Sequence, residues 1–140
     1  MSIPLATIAA CFEGEIPSVI VTSSAEGEPN LAHLSQVLFV DDARVAASNQ
    51  FFTKTSANLA ANPLATLVCV DPHQLLSYTL LVRHERTDVD GEVFDRARRS
   101  IELIASATGM EGVFALRSID VFRVLDVAAV PSRGTAAAAS

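Results

Sequence analysis

The sequence predicts a mainly β fold, a closed or nearly closed barrel with two helices. Six or so strand-like segments follow one another across short turns, as in antiparallel hairpins. Closure into a barrel removes the exposed edges that so many strands would leave in a small domain. Because strands follow strands without intervening helices, a doubly wound α/β fold is excluded. For a chain of 140 residues we expect one domain over residues 1–130 and a flexible tail over residues 131–140.

The first half of the barrel is predicted to consist of three strands. Residues 17–23 are rich in β-branched side chains and end at a turn cluster over residues 25–30. Residues 30–40 form the next strand, and both of its faces are partly apolar, so we expect it to be covered on both sides. A hairpin turn then leads into the returning strand over residues 44–50.

The second half contains both helices. A short helix over residues 53–62 begins at a threonine and stops at an Asn-Pro pair. The continuous apolar run Leu64–Val70 and the longer segment over residues 75–88 are predicted strands. A helix over residues 92–108 carries apolar residues at helical spacing and is followed by a glycine. The final strand or strand pair covers residues 113–127.

The charge balance excludes several functions. The chain has 10 Lys and Arg against 16 Asp and Glu, a formal charge of -6, and an acidic surface repels phosphate backbones and anionic lipids. We therefore expect neither nucleic acid nor a membrane as partner. The start of the sequence has no basic region, so we expect a cytoplasmic protein. Arg96, Arg98 and Arg99 on the second helix are expected to form a solvated face, with an anion or partner contact as the alternative.

The cysteines and histidines suggest no catalytic cluster. Cys11 and Cys69 lie in apolar runs, so each is expected to be a small core residue, in neither a disulfide framework nor a zinc site. The three histidines are far apart in the sequence. We expect His33 to be a hydrogen-bonded histidine of the barrel, His73 to lie on the surface, and His84 to lie at a solvated strand end.

The most informative side chain is Lys54, the only lysine of the chain. It lies in the first turn of the shorter helix between Thr53 and Thr55. The first N–H groups of a helix are unpaired and carry partial positive charge, so an ammonium and two hydroxyls beside them would suit a phosphate. The alternative is an ordinary N-cap threonine with a surface lysine. The residues alone leave both interpretations open.

The order of these segments resembles a known family. A hairpin, a T-K-T-x-x-N-L-x-x-N-P helix and an apolar strand are similar to the FMN-binding split barrel of the pyridoxamine 5′-phosphate oxidase-like superfamily, over residues 16–127. The resemblance implies a homodimer with two FMN molecules in clefts between the subunits. It also places the FMN phosphate on Thr53, Lys54 and Thr55.

The resemblance implies further contacts with the cofactor. Ser48 and Asn49, at the end of a strand, would lie beside the flavin and ribityl chain. Ser35 and Gln36, on the preceding strand, would approach the ring edge through backbone groups. Tyr78 would come from the partner subunit. Ser77, beside Tyr78, is the alternative partner residue.

The sequence also departs from the family pattern. Members that oxidise pyridoxamine phosphate carry basic residues on the second strand, where this chain has His33 and Leu38, and an Arg- and His-bearing segment at the end. We therefore expect a flavin-dependent oxidoreductase for an unidentified small molecule rather than an authentic pyridoxamine phosphate oxidase. The alternative is a non-catalytic flavin- or haem-binding sensory or regulatory module. FMN is the expected cofactor, with a deazaflavin or haem as alternatives.

Overall fold

Seven antiparallel strands and three helices make up the described part of the chain. The computed structural model describes residues 3–13, 16–34, 36–49, 53–109 and 116–131. A 3₁₀ helix comes first (Leu5–Phe12). The strands are β1 (Ser18–Ser23), β2 (Pro29–Leu34), β3 (Val37–Asp41), β4 (Arg44–Asn49), β5 (Leu64–Val70), β6 (Ser77–Asp88) and β7 (Ser118–Ala129). The two α-helices are α1 (Thr53–Ala61) and α2 (Glu92–Thr108).

The sheet is curled into a barrel that is split between β2 and β3. These two strands lie at opposite edges in the order β2-β1-β5-β6-β7-β4-β3. In a flat sheet the edges would be about 29 Å apart, at about 4.8 Å per strand. The three residue steps from Leu34 to Val37, however, span at most about 11 Å. The edges must therefore approach each other, which confirms the predicted barrel.

The prediction of a single strand over residues 30–40 was wrong. The chain leaves one edge of the sheet at Leu34 and joins the other edge at Val37. Burial continues through the change of edge, since the apolar Leu34 and Val37 and the polar Gln36 between them are all buried. For this reason the local pattern could not reveal the break.

The barrel interior holds the main core, and the 3₁₀ helix packs against β3 and β5 at its margin. Its buried residues are Leu5, Ile8, Cys11 and Phe12. Two helices were predicted from the sequence, and this one was not among them. Short 3₁₀ segments have little intrinsic stability, and tertiary packing rather than a helical pattern holds them in place.

Helix α2 covers part of the outer face of the barrel. Its Ala97 packs with Ala46, Ile119 and Val121 in a second, smaller core cluster. The Arg96 guanidinium donates a hydrogen bond of 2.8 Å to the carbonyl oxygen of Phe39. Arg96 therefore helps to hold α2 on the sheet instead of belonging to the solvated face that was expected.

Most strand and helix bounds agree with the predictions to within a few residues. Strand β5 and helix α2 have the predicted bounds. Strand β6 begins at Ser77, because the Asp71 carboxylate accepts hydrogen bonds from the backbone N–H groups of His73 and Gln74 and shapes a turn there. Residues 110–115, and residues 132–140 of the predicted tail, lie outside the described residues. Within the described ranges, none of the helices has the length and apolar character needed to cross a bilayer.

The histidine predictions were correct for one residue out of three. His73 lies on the surface, as expected. His33 is exposed on β2 instead of being hydrogen-bonded in the barrel, because β2 is an edge strand and its odd-numbered residues face outwards. His84 is half-buried and bonded to Asp120, so the expected solvated strand end was also wrong.

Candidate functional site

Helix α1 is fixed to the barrel by one buried polar contact. The Nδ2 group of Asn58 donates a hydrogen bond of 3.1 Å to Oγ1 of Thr22 on β1, and both residues are buried. Leu59 belongs to the main core. These contacts fix the orientation of the helix and therefore the direction in which its N-terminal end points.

The N-terminal turn of α1 is positively charged. Lys54 is exposed there, and the first turn contains no acidic side chain. The unpaired N–H groups of this turn add partial positive charge. Thr55, in contrast, is buried, which gives its hydroxyl little access from solvent. The side chain of Thr53 lies outside the described part. Lys54 and the backbone N–H groups are therefore the groups best placed to hold an anion.

Gln36 and Ser48 come together where β3 begins and β4 ends. The Ser48 N–H donates to the Gln36 carbonyl oxygen at 3.0 Å, and the Ser48 hydroxyl donates to the same oxygen at 3.4 Å. Both residues are buried. The side-chain Oε1 of Gln36 is buried and has no hydrogen-bond partner among the described residues. Leaving such an atom unpaired costs about 1–3 kcal/mol, so the site fits a ligand that brings an N–H or O–H donor.

The other predicted site residues are only partly brought together. Asn49 follows Ser48 on β4 and precedes Thr53 by four residues, so the strand end and the helix start lie within about 14 Å. The side chain of Asn49, like Ser35 as a whole, is outside the described part of the chain. Tyr78 lies elsewhere: it pairs with Ala129, whereas Asn49 pairs with Ser118 at the other end of β7. Ser118 and Ala129 are therefore eleven residues apart along β7, a length of up to about 35 Å if the strand is fully extended.

A polar cluster that the sequence analysis missed lies between β6 and β7. The buried carboxylate of Asp120 accepts a hydrogen bond from the Thr87 hydroxyl at 2.6 Å and lies 2.9 Å from Nε2 of His84. The His84 ring meets the Phe122 ring edge-to-face at 5.4 Å. One signal was available: Asp120 interrupts the apolar run of the last strand at a position that faces the barrel. The His84 ring and the Thr87 hydroxyl both contact the Asp120 carboxylate, so we assign the cluster a role in stabilising the barrel.

The two cysteines are inert core residues, as expected. Both thiols are free and buried. Burial raises the pKa of Cys11 and, more strongly, the pKa of Cys69. Since the thiolate is the reactive form, neither side chain is poised for chemistry.

The family model for pyridoxamine 5′-phosphate oxidase matches residues 5–129. The chain belongs to this family. The resemblance deduced from the T-K-T helix and its flanking strands is thereby confirmed, and so is the split-barrel fold. No curated protein matches the chain by sequence.

Solved structures share the fold of this pyridoxamine 5′-phosphate oxidase family member at low identity. An FMN-binding protein from Syntrophomonas wolfei has a TM-score of 0.73 at 19% identity, over 89% of this chain and 84% of its own. An F420 reductase has a TM-score of 0.62 at 14% identity, over 85% and 94%. HutZ, the haem storage protein of Vibrio cholerae, has a TM-score of 0.58 at 16% identity, over 91% and 95%. These likenesses establish the architecture.

Proposed function

We propose that the protein is a homodimer that binds FMN and oxidises or reduces a small organic molecule. The observation that carries the proposal is the N-terminal turn of α1, where Lys54 is exposed beside unpaired N–H groups and the turn itself contains no acidic side chain. A phosphate is the anion that such a helix start suits. The FMN-binding protein of the same fold supports the choice of cofactor.

Each residue has a separate role in this proposal. Lys54 and the first backbone N–H groups of α1 hold the phosphate, and Gln36 offers its unpaired Oε1 to a ring N–H at the polar edge of the flavin. Ser48 fixes the backbone of Gln36 through its two hydrogen bonds. When bound, FMN supplies hydride transfer, so the protein needs to contribute position and electrostatics rather than a catalytic triad.

The substrate we propose is not pyridoxamine phosphate. The resemblance implies basic residues on the second strand. This chain has His33 there, exposed on the edge strand β2, and Leu38. Strand β7 carries Arg123 but no histidine, so the pair expected to hold the substrate phosphate is incomplete. A small organic molecule without a phosphate group fits these residues better.

The homodimer rests on the position of Tyr78. Tyr78 and Asn49 pair with opposite ends of β7, so in the proposal Tyr78 contacts the flavin held at the β4 end of the other subunit. The surface around it is apolar: Leu75 is 72% exposed, Leu76 42% and Val130 40%. Leu75 also has a φ of 56°, which is strained for leucine. Strain and exposure at one turn favour a contact surface.

The test of the proposal is FMN binding by Lys54 variants. A charge-assisted contact contributes about 1.5–3 kcal/mol, and because Lys54 is exposed we expect the lower end, so Lys54→Ala weakens FMN binding about tenfold. Lys54→Arg keeps most of the affinity. Arg98→Ala, which removes an exposed cation on α2, is the control and leaves it unchanged. Titration of flavin fluorescence measures all three. Equal FMN affinity in Lys54→Ala and the unaltered protein would refute the proposal.

A haem-binding module without turnover is the second candidate, because a haem storage protein shares the fold. The exposed His33 or His73 would then hold the haem iron, since Nε2 of His84 is bonded to Asp120. The absorption spectrum of the purified protein separates the two, because haem gives a Soret band and a flavin does not. A bound flavin that stays oxidised with nicotinamide donors would indicate a non-catalytic flavin module.

A further inference from the structure

Two arginines face each other on the outer surface of the barrel. Arg83 on β6 and Arg123 on β7 are directly paired across the strands. Their neighbours Val82 and Phe122 belong to the barrel core, so the two arginines point outwards, and both are exposed. Directly opposed residues of antiparallel strands have their Cβ atoms about 5 Å apart. The two guanidinium groups therefore share one small region of the surface.

This arginine pair differs from the other strand arginines in its contacts. Neither side chain forms an ion pair or hydrogen bond with any residue in the described ranges. Arg44, which is paired with Arg123 from the other side, shows the contrast: its guanidinium binds Glu85 at 2.9 Å and Asp41 at 3.3 Å. Like charges directly opposite each other destabilise a sheet. Glu85 also lies on the outer side, two residues from Arg83, but it binds Arg44. Two facing arginines that form no ion pair of their own can therefore bind an anion from outside the chain.

The surface around the pair is apolar. Leu64 is paired with Arg83, and Leu81 and Leu125 lie two residues along from the two arginines on the same outer side. All three leucines are exposed. We call Arg83, Arg123 and these leucines the arginine patch. Asp126, which is exposed and opposite Leu81, limits the patch at one side and would repel a long polyanion.

We propose that Arg83 and Arg123 together bind the carboxylate or phosphate group of a small organic anion whose apolar part covers the leucines. Guanidinium groups are weakly hydrated and present forked donors that match an oxyanion, and two of them can share its oxygens. The bound anion removes the repulsion between the arginines. The two arginines lie on β6 and β7, whereas Lys54 lies on α1, and the proposal does not depend on whether the protein binds a flavin.

The test compares three probes at constant ionic strength: inorganic phosphate, hexanoate and hexyl phosphate. We expect saturable binding by calorimetry, with hexyl phosphate at least ~10-fold tighter than phosphate because its chain covers leucine surface. Arg83→Gln and Arg123→Gln each weaken hexyl phosphate binding at least ~10-fold. Arg86→Gln is the control, since Arg86 lies on the same strand but is already paired with Asp88, and it leaves the affinity unchanged.

A second readout separates ligand binding from a structural role. Without anion at low salt, Arg83→Gln and Arg123→Gln should raise the Tm by about 1–3 °C, because each removes one of two repelling charges. The proposal is overturned if no probe binds saturably, if both variants bind hexyl phosphate as well as the unaltered protein, or if both have a lower Tm. Loss of the dimer in these variants with unchanged anion binding would assign the pair to a subunit contact and also overturn it.

Discussion

The position of helix α1 should depend on the hydrogen bond between Asn58 and Thr22, and Thr22→Val tests this. Valine has nearly the shape of threonine but no oxygen, so the change removes the acceptor and little else. Thr22 and Asn58 are both buried, and water cannot readily replace the lost partner of the Asn58 amide. The expected effect is therefore that of an unpaired buried donor.

The magnitude follows from that burial. An unsatisfied buried polar group costs about 1–3 kcal/mol. For a chain of 140 residues the entropy of unfolding is about 0.3 kcal/mol per degree. We therefore expect Thr22→Val to lower the free energy of unfolding by about 1–3 kcal/mol and the Tm by about 3–10 °C. It should also weaken FMN binding, though less than Lys54→Ala does, because the helix start loses part of its support.

Chemical and thermal denaturation followed by circular dichroism measure the effect. Thr66→Val is the matched control: Thr66 is a half-buried strand threonine on β5 with no side-chain hydrogen bond within the described ranges, and its change should stay within about 0.5 kcal/mol. If Thr22→Val is as stable as Thr66→Val, the Asn58–Thr22 contact does not hold the helix and the reasoning is refuted.

Two further predictions concern the thiols and the apolar turn. Because burial raises the pKa of Cys11 and Cys69, the native protein should react with an aromatic disulfide reagent at pH 8 much more slowly than the denatured protein. Rapid reaction of either thiol in the native state would contradict this. Replacing Leu75 and Leu76 together by aspartate should shift the mass in solution from dimer to monomer, whereas Leu31→Asp, at an exposed leucine on β2, should not. A dimer that survives the double change would place the subunit contact elsewhere.

The sequence predicted those parts of the fold that depend on local patterns. Leu64–Val70 is apolar throughout and α2 has apolar residues at helical spacing, so both were placed correctly. The break between β2 and β3 depends instead on closure of the barrel, which is a non-local event. The same holds for the site. Lys54 was predicted as a site residue because a helix start has local chemistry, whereas the buried Oε1 of Gln36, unpaired among the described residues, depends on the packing of β3 against β4.

The contact between His84 and Asp120 shows why the rest could not be predicted. On a regular strand, residues three apart point to opposite faces, yet His84 and Thr87 both contact Asp120. The register between β6 and β7 shifts between His84 and Arg86, so Glu85 is the extra residue of a β-bulge. The bulge turns Thr87 towards the same side as His84. It also directs Glu85 outwards, where its carboxylate binds Arg44. One inserted residue thus completes the polar cluster inside and neutralises Arg44 outside, and alternation along the sequence alone would have assigned Thr87 to the wrong face.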